Sequence, residues 1–176
     1  MKSIASTSRL TLRELTPADA QFTFDLNSDP EVVKYTGDVA FSTIDEARTF
    51  LENYSDYERN GFGRWAVVLK STGEIIGWCG LKRDRETNEV DLGYRFYRKE
   101  WNKGYATEAS EACLTIGFDQ FKLERIIARA NKENPSSYRV MEKLGFTFET
   151  DYMDDDENWV LYAIAADEPH RKQKDT

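Results

Sequence analysis

The sequence predicts an α+β domain, a mixed and mostly antiparallel sheet flanked by helices. Three patterns predict it. Short segments alternating apolar and polar residues recur, several joined by hairpin-type turns. Helical segments open with a capping residue followed by proline. One strand–helix–strand step, from Glu89 to Ala130, is long enough for a parallel crossover.

Taken in order, Arg9 to Leu15 places Leu10, Leu12 and Leu15 in a short strand pattern. Thr16-Pro17 starts a helix running to about Asn27, and Ser28-Asp29-Pro30 restarts a helical turn through Tyr35. Ser42-Thr43-Ile44-Asp45 resembles a capping box with Asp in place of Glu. Ile44, Ala47, Leu51 and Tyr54 then follow at helical spacing until Asn60-Gly61. Gly63 to Lys70 and Glu74 to Arg83 form strands around the turn Ser71-Thr72-Gly73, and Glu89 to Tyr97 forms a third. A helix follows Trp101–Thr107 and runs to about Gln120, with Ala106, Ala109, Cys113 and Ile116 on its apolar face. Glu124 to Ala130 is a strand. Asn134-Pro135 opens a helix carrying Val140, Met141 and Leu144 and ending at Gly145. Phe146 to Thr150 and Trp159 to Ala166 are the last strands, with an acidic loop Asp151 to Glu157 between them.

The length of 176 residues fits one domain, residues 1–166, with a charged tail at 167–176. No apolar run approaches the ~18 residues of a membrane span, and Met1 to Arg9 has no signal-peptide core, so a cytoplasmic protein without a membrane partner is expected. A net charge of −8 disfavours nucleic acid and suits a cationic amine. Cys79 and Cys113 read as small buried residues, and the single histidine, His170, excludes a His-based triad or a multi-histidine metal site. No metal is expected.

Trp101-Asn102-Lys103-Gly104-Tyr105-Ala106-Thr107 joins a strand to a helix start, where unpaired N–H groups and a partial positive charge gather. Gly104 and the small Ala106 let a phosphate approach the backbone. Neither the Walker pattern nor the dinucleotide glycine pattern is present.

Asp91-Leu92-Gly93-Tyr94, the Trp101–Ala109 stretch and Asn134-Pro135-Ser136-Ser137-Tyr138-Arg139-Val140-Met141-Glu142-Lys143-Leu144-Gly145-Phe146 together resemble the GNAT N-acetyltransferases. Ser8-Arg9-Leu10-Thr11-Leu12-Arg13, Ser28-Asp29-Pro30-Glu31-Val32 and Gly73-Glu74-Ile75-Ile76-Gly77 fit the branch containing the Rim-type acetyltransferases of ribosomal-protein N-termini. The resemblance spans about residues 8 to 165 and implies a splayed sheet with acetyl-CoA as co-substrate. It implies that Trp101, Asn102, Lys103, Gly104, Tyr105, Ala106 and Thr107 hold the pyrophosphate. The backbone of Phe96, Tyr97 and Arg98 would pair with the pantetheine arm, and Asn134 and Ser137 would contact the arm or the reaction centre. Helix capping is an equal reading of Asn134. Trp101 stands where the family at large has Arg or Gln, as is frequent in this branch, and Met141 where many members have a proton-donating Tyr.

The implied reaction is direct attack of an amine on the thioester. A protonated amine has no lone pair, so a base must take its proton, directly or through water. Asp91 and Glu89 are the candidates, two residues apart on one strand face. Ser137 matches the serine assigned as acid in the Rim-type branch, and water is the alternative. Without a partner base, the cysteines do not suggest a covalent route. The resemblance places the substrate between roughly Asp29–Thr36 and Asp151–Glu157, where Asp151, Asp154, Asp155, Asp156 and Glu157 would attract an amine, or merely solvate a hairpin tip. Three functions follow: acetylation of a protein or peptide N-terminus, acetylation of a small amine such as a polyamine, amino acid or drug, or acyl-CoA binding without catalysis. Either a monomer or a homodimer is compatible.

Overall fold

The computed structural model describes residues 2–154 and 156–166. The strands are β1 (Ser3–Ser6), β2 (Leu10–Glu14), β3 (Arg64–Leu69), β4 (Ile75–Arg83), β5 (Val90–Phe96), β6 (Arg125–Asn131), β7 (Thr147–Asp154) and β8 (Glu157–Ala165). They form one sheet in the order β1-β2-β3-β4-β5-β6-β8-β7. All neighbours are antiparallel except β5 and β6, the one parallel step that the sequence predicts.

The helices are α1 (Ala20–Ser28), α2 (Pro30–Val33), α3 (Ile44–Glu52), α4 (Asp56–Asn60), α5 (Tyr105–Thr115) and α6 (Pro135–Lys143). Alternation along the strands gives the sheet two different faces. On one, Ala109, Cys113 and Leu114 of α5 and Met141 of α6 pack with Leu92, Phe96, Ile126 and Ala128 of the sheet. On the other, Phe22, Leu26 and Val32 of α1 and α2 pack against Leu15, Ile75, Trp78 and Tyr97. Cys79 and Cys113 are fully buried, their Sγ atoms 3.6 Å apart. They are core residues, as expected.

Four features depart from the sequence reading. Strand β1 has too few apolar residues to stand out, and it pairs only with β2. The helix cap is Thr43, whose hydroxyl accepts from the Glu46 N–H at 3.1 Å, and Glu46 reaches back to the Ser42 N–H at 2.7 Å. The helix expected to run to Asn60 breaks after Glu52. The break lets the edge-to-face rings of Tyr54 and Tyr57 bracket the Arg64 backbone: its N–H donates to the Tyr54 hydroxyl and its carbonyl accepts from Tyr57. Lastly, most of the acidic stretch is strand. Tyr152 pairs with Trp159 and Asp154 with Glu157, so the expected loop narrows to the hairpin tip. Strand β7 is an edge strand with exposed side chains, which tolerates acidic residues. Asp155, His170 and the tail from 167 lie outside the described residues.

Between β3 and β4 the backbones approach closely at Gly80, where a Cβ would meet the Gly63 carbonyl. The Gly80→Ala variant is therefore expected to lose about 1–3 kcal/mol of stability from overpacking. An unchanged urea midpoint would contradict this close approach.

Candidate active site

The site begins with a gap in the sheet. Strands β5 and β6 are in register only at Asp91 and Ile127 and separate beyond it. They run parallel, so the loop after β5, the start of α5, the end of β6 and the start of α6 all lie at the open end. Crevices at the carboxyl ends of parallel strands are common ligand sites.

One wall is the Trp101–Thr107 loop. Gly104 has φ +79°, a left-handed conformation costly for other residues, and Asn102 has φ +61°. From Asn102 to Thr107, no backbone N–H donates to an acceptor among the described residues. That run of donors at a helix start fits a pyrophosphate. A Cβ on Gly104 would find one neighbour within 4 Å, Nη2 of Arg9 at 3.4 Å, so the cradle is open. The loop is braced by Glu108. Its carboxylate accepts from Thr7 Oγ1 (2.6 Å), Ser8 Oγ (3.0 Å), the Arg9 N–H (2.9 Å) and Arg9 Nε (2.6 Å). Burial opposes its charge, but these hydrogen bonds outweigh it and hold the pKa at about 2.

The turn after β5 is largely committed within the protein. The Phe96 carbonyl accepts from the Trp101 indole at 2.9 Å, and the Tyr97 and Arg98 carbonyls accept from the Glu100 and Trp101 N–H groups. The Tyr97 N–H donates to Ile76. Of the backbone groups expected to meet the pantetheine arm, the Arg98 N–H has no acceptor among the described residues. The Tyr97 ring turns away, edge-on to Phe22 on the α1 face.

The opposite wall is α6. Ser137 lies within hydrogen-bond distance of Tyr94, whose hydroxyl is 3.0 Å from the Ser137 carbonyl and 3.1 Å from its Oγ. Burial raises the Tyr94 pKa to about 12. Asn134 makes no side-chain cap bond, so capping does not account for its amide. Met141, at the position of the family tyrosine, is buried in the core.

On the α1 face, Arg64 lies across Gly80 and Gly93 to reach Asp91. A Cβ on Gly93 would come 2.7 Å from its Cζ. Its Nη2 sits 2.9 and 2.8 Å from the two Asp91 oxygens. Glu89 precedes β5 and pairs with Arg125 at 3.6 Å and Arg129 at 3.4 Å. Beside this pair opens a cavity of about 490 Å³ lined by Thr36, Gly37, Arg129, Tyr152, Asp154, Glu157 and Trp159. It unites the two segments expected to flank the substrate.

The acetyltransferase (GNAT) domain family matches residues 9–147. The chain belongs to the GNAT acetyltransferases. It is 35% identical over 142 residues to the uncharacterized N-acetyltransferase p20 of Bacillus licheniformis, covering 80% of each chain. Over 146 residues it is 26% identical to the spermidine N(1)-acetyltransferase of Vibrio cholerae, covering 81% of each. Among solved structures, a GNAT-family acetyltransferase from Bacillus anthracis superposes with a TM-score of 0.82 at 31% identity, covering 95% of this chain and all of the other. A ribosomal-protein-S5-alanine acetyltransferase from Vibrio fischeri superposes at 0.80 and 18% identity, covering 96% and 98%, which shows a shared fold.

This GNAT enzyme is thus an N-acetyltransferase of a family that uses acetyl-CoA. The structure does not bring every residue named from sequence to the open end, since Glu89 precedes the Asp91–Ile127 pair and the strands part after it. The loop, Asn134 and Ser137 border the gap, whereas Asp91 and Glu89 share the opposite sheet face from Tyr94. Sequence reasoning passed over Tyr94 as a site residue, although the Leu92-Gly93-Tyr94 motif contained it. Arg64 carried no local signal, because its partner is 27 residues away.

The depressed Glu108 pKa has a testable sign. Its stabilisation is full above the ordinary value of 4.5 and is lost as pH falls towards 2. The melting-temperature gap between wild type and Glu108→Gln is expected to be widest above pH 4.5 and to close in acid. A gap independent of pH would contradict it.

Proposed function

We propose that this enzyme transfers an acetyl group directly from acetyl-CoA to the primary amine of a small cationic molecule. The observation that carries the reading is the cavity beside the opening. Asp154 and Glu157 supply negative charge there, and Tyr152 and Trp159 supply aromatic faces, a combination that attracts an ammonium group. Its volume suits a small amine. The similarity to a spermidine acetyltransferase over most of both chains supports the same class. A peptide N-terminus is the second reading, favoured by the Rim-type motifs at Ser8–Arg13 and Ser28–Val32.

In this proposal the amides of Asn102 to Thr107 and the Arg98 N–H hold and orient acetyl-CoA, with Asn134 beside the arm. Bound acetyl-CoA supplies an activated acyl thioester. Asp91 takes the amine proton through water. Both its oxygens already face Arg64, so it works through remaining lone pairs. Glu89 is the alternative base, paired with Arg129, which lines the cavity. Ser137, held by Tyr94, offers a proton to the departing thiolate.

Polyamines are expected to turn over with higher kcat/KM than Ala- or Ser-starting peptides. In the Asp154→Asn/Glu157→Gln double variant, kcat/KM for the polyamine should fall by about tenfold or more, with a smaller loss for a neutral-tailed amine. A preference for peptides would select the second reading, and CoA binding without turnover of any amine would remove catalysis.

The Asp91→Asn variant is expected to lower kcat by about 10²-fold and to remove the acid limb of the pH–rate profile. If the limb survives there and disappears in Glu89→Gln, Glu89 is the base.

A further inference from the structure

Two donor side chains of the loop, Trp101 and Lys103, are already engaged within the protein. Trp101, where the family has Arg or Gln, carries no charge, and its indole N–H is used on Phe96. Lys103 pairs with Glu100, Nζ to Oε2 at 3.0 Å. A guanidinium nevertheless stands at the loop, delivered from a distant part of the chain. Arg9, in the turn between β1 and β2, donates Nε to Glu108 at 2.6 Å and Nη1 to the Lys103 carbonyl at 2.9 Å. Its Cζ lies over the Tyr105 ring, 4.6 Å from the centroid. Of the five guanidinium donors, those on Nη2 have no acceptor among the described residues, and Nη2 stands 3.4 Å from where a Cβ on Gly104 would be.

We propose that Arg9 binds the diphosphate of acetyl-CoA, replacing from outside the loop the donor lost at Trp101. This rests on the acetyl-transfer reading above. Three features support it. The carboxylate, the carbonyl and the ring hold the guanidinium in one orientation, so little rotamer entropy remains to be lost on binding. Its free edge faces the glycine that lets the phosphates approach. Its side chain remains 45% exposed, so it is open to a ligand. Because Glu108 balances its charge, Arg9 acts mainly as a directed donor, and a neutral residue that keeps the turn cannot replace it.

The test compares three ligands in one variant, Arg9→Gln. Titrations with CoA, 3′-dephospho-CoA and acetyl-pantetheine are read as dissociation constants against wild type. CoA and 3′-dephospho-CoA are expected to weaken about tenfold, because each loses a charge-assisted hydrogen bond to the diphosphate. Acetyl-pantetheine, which has no phosphate, should be unchanged. An unchanged CoA affinity overturns the proposal. So does a loss confined to CoA, which would assign the contact to the 3′-phosphate, and so does an equal loss for all three, which would mark a loosened turn. A loosened loop is told apart by Glu108→Gln, which removes the same brace and keeps Arg9: a loss of CoA affinity there equal to that in Arg9→Gln overturns the proposal. If wild-type protein fails to bind CoA, the acetyl-transfer reading itself falls, an outcome separate from any behaviour of Arg9.

Discussion

The geometry of the site follows from how little β5 and β6 pair. With one registered position, at Asp91 and Ile127, the two strands part and the sheet opens through its middle. The parallel step forces a helix crossover, which brings the start of α5 to the open end. The same direction of travel brings α6 there from β6. Buried Met141 anchors α6, and Tyr94 links across to Ser137. Two walls therefore meet at a gap where main-chain donors are left over. A fully paired sheet would have no such place.

Charge is arranged around that gap with little excess at the loop. On the α1 face, sheet arginines are matched to carboxylates: Arg64 to Asp91, Arg95 to Asp38, Arg129 to Glu89. Arg64 and Arg95 flank the Trp78 ring at 5.4 and 5.3 Å. Removing one member of such a pair leaves the other uncompensated, at a cost of about 3–5 kcal/mol when buried. The glycines at 80 and 93 serve this network, since side chains there would crowd the strands or the guanidinium. The loop is likewise balanced, Lys103 by Glu100 and Arg9 by Glu108. Much of the chain's negative excess is thus free to appear elsewhere, and five acidic residues fall between 151 and 157.

Most of the fold was legible because its signals are local. Alternation marks β5, the Ser71-Thr72-Gly73 turn marks the hairpin of β3 and β4, Thr16-Pro17 and Asn134-Pro135 mark helix starts, and the loop and its neighbouring motifs carry the family. What escaped depends on distant contacts. The break at Asn53 makes sense only when Tyr54 and Tyr57 meet Arg64. Strand β1 is fixed by pairing with β2. The acidic segment reads as loop by composition, but β8 draws it into a hairpin. The site shows the same division. The loop was legible as an anion site from its place at a helix start and Ser137 through the family resemblance, whereas the Arg64 clamp on Asp91 and the reach of Arg9 to Glu108, 99 residues away, were not.

The two sheet faces also order the proposed chemistry. Asp91 lies on the face that α1 and α2 cover, towards the acidic cavity. Ser137 and Tyr94 lie on the α5 and α6 side. An amine entering from the cavity would lose its proton on one face, while the thiolate would depart towards donors on the other. Base and acid then need not compete for one proton, and no enzyme nucleophile is required between them. The burial of both cysteines fits this. In the proposed direct transfer, the gap between β5 and β6 would join the face that takes the amine proton to the face that meets the thiolate.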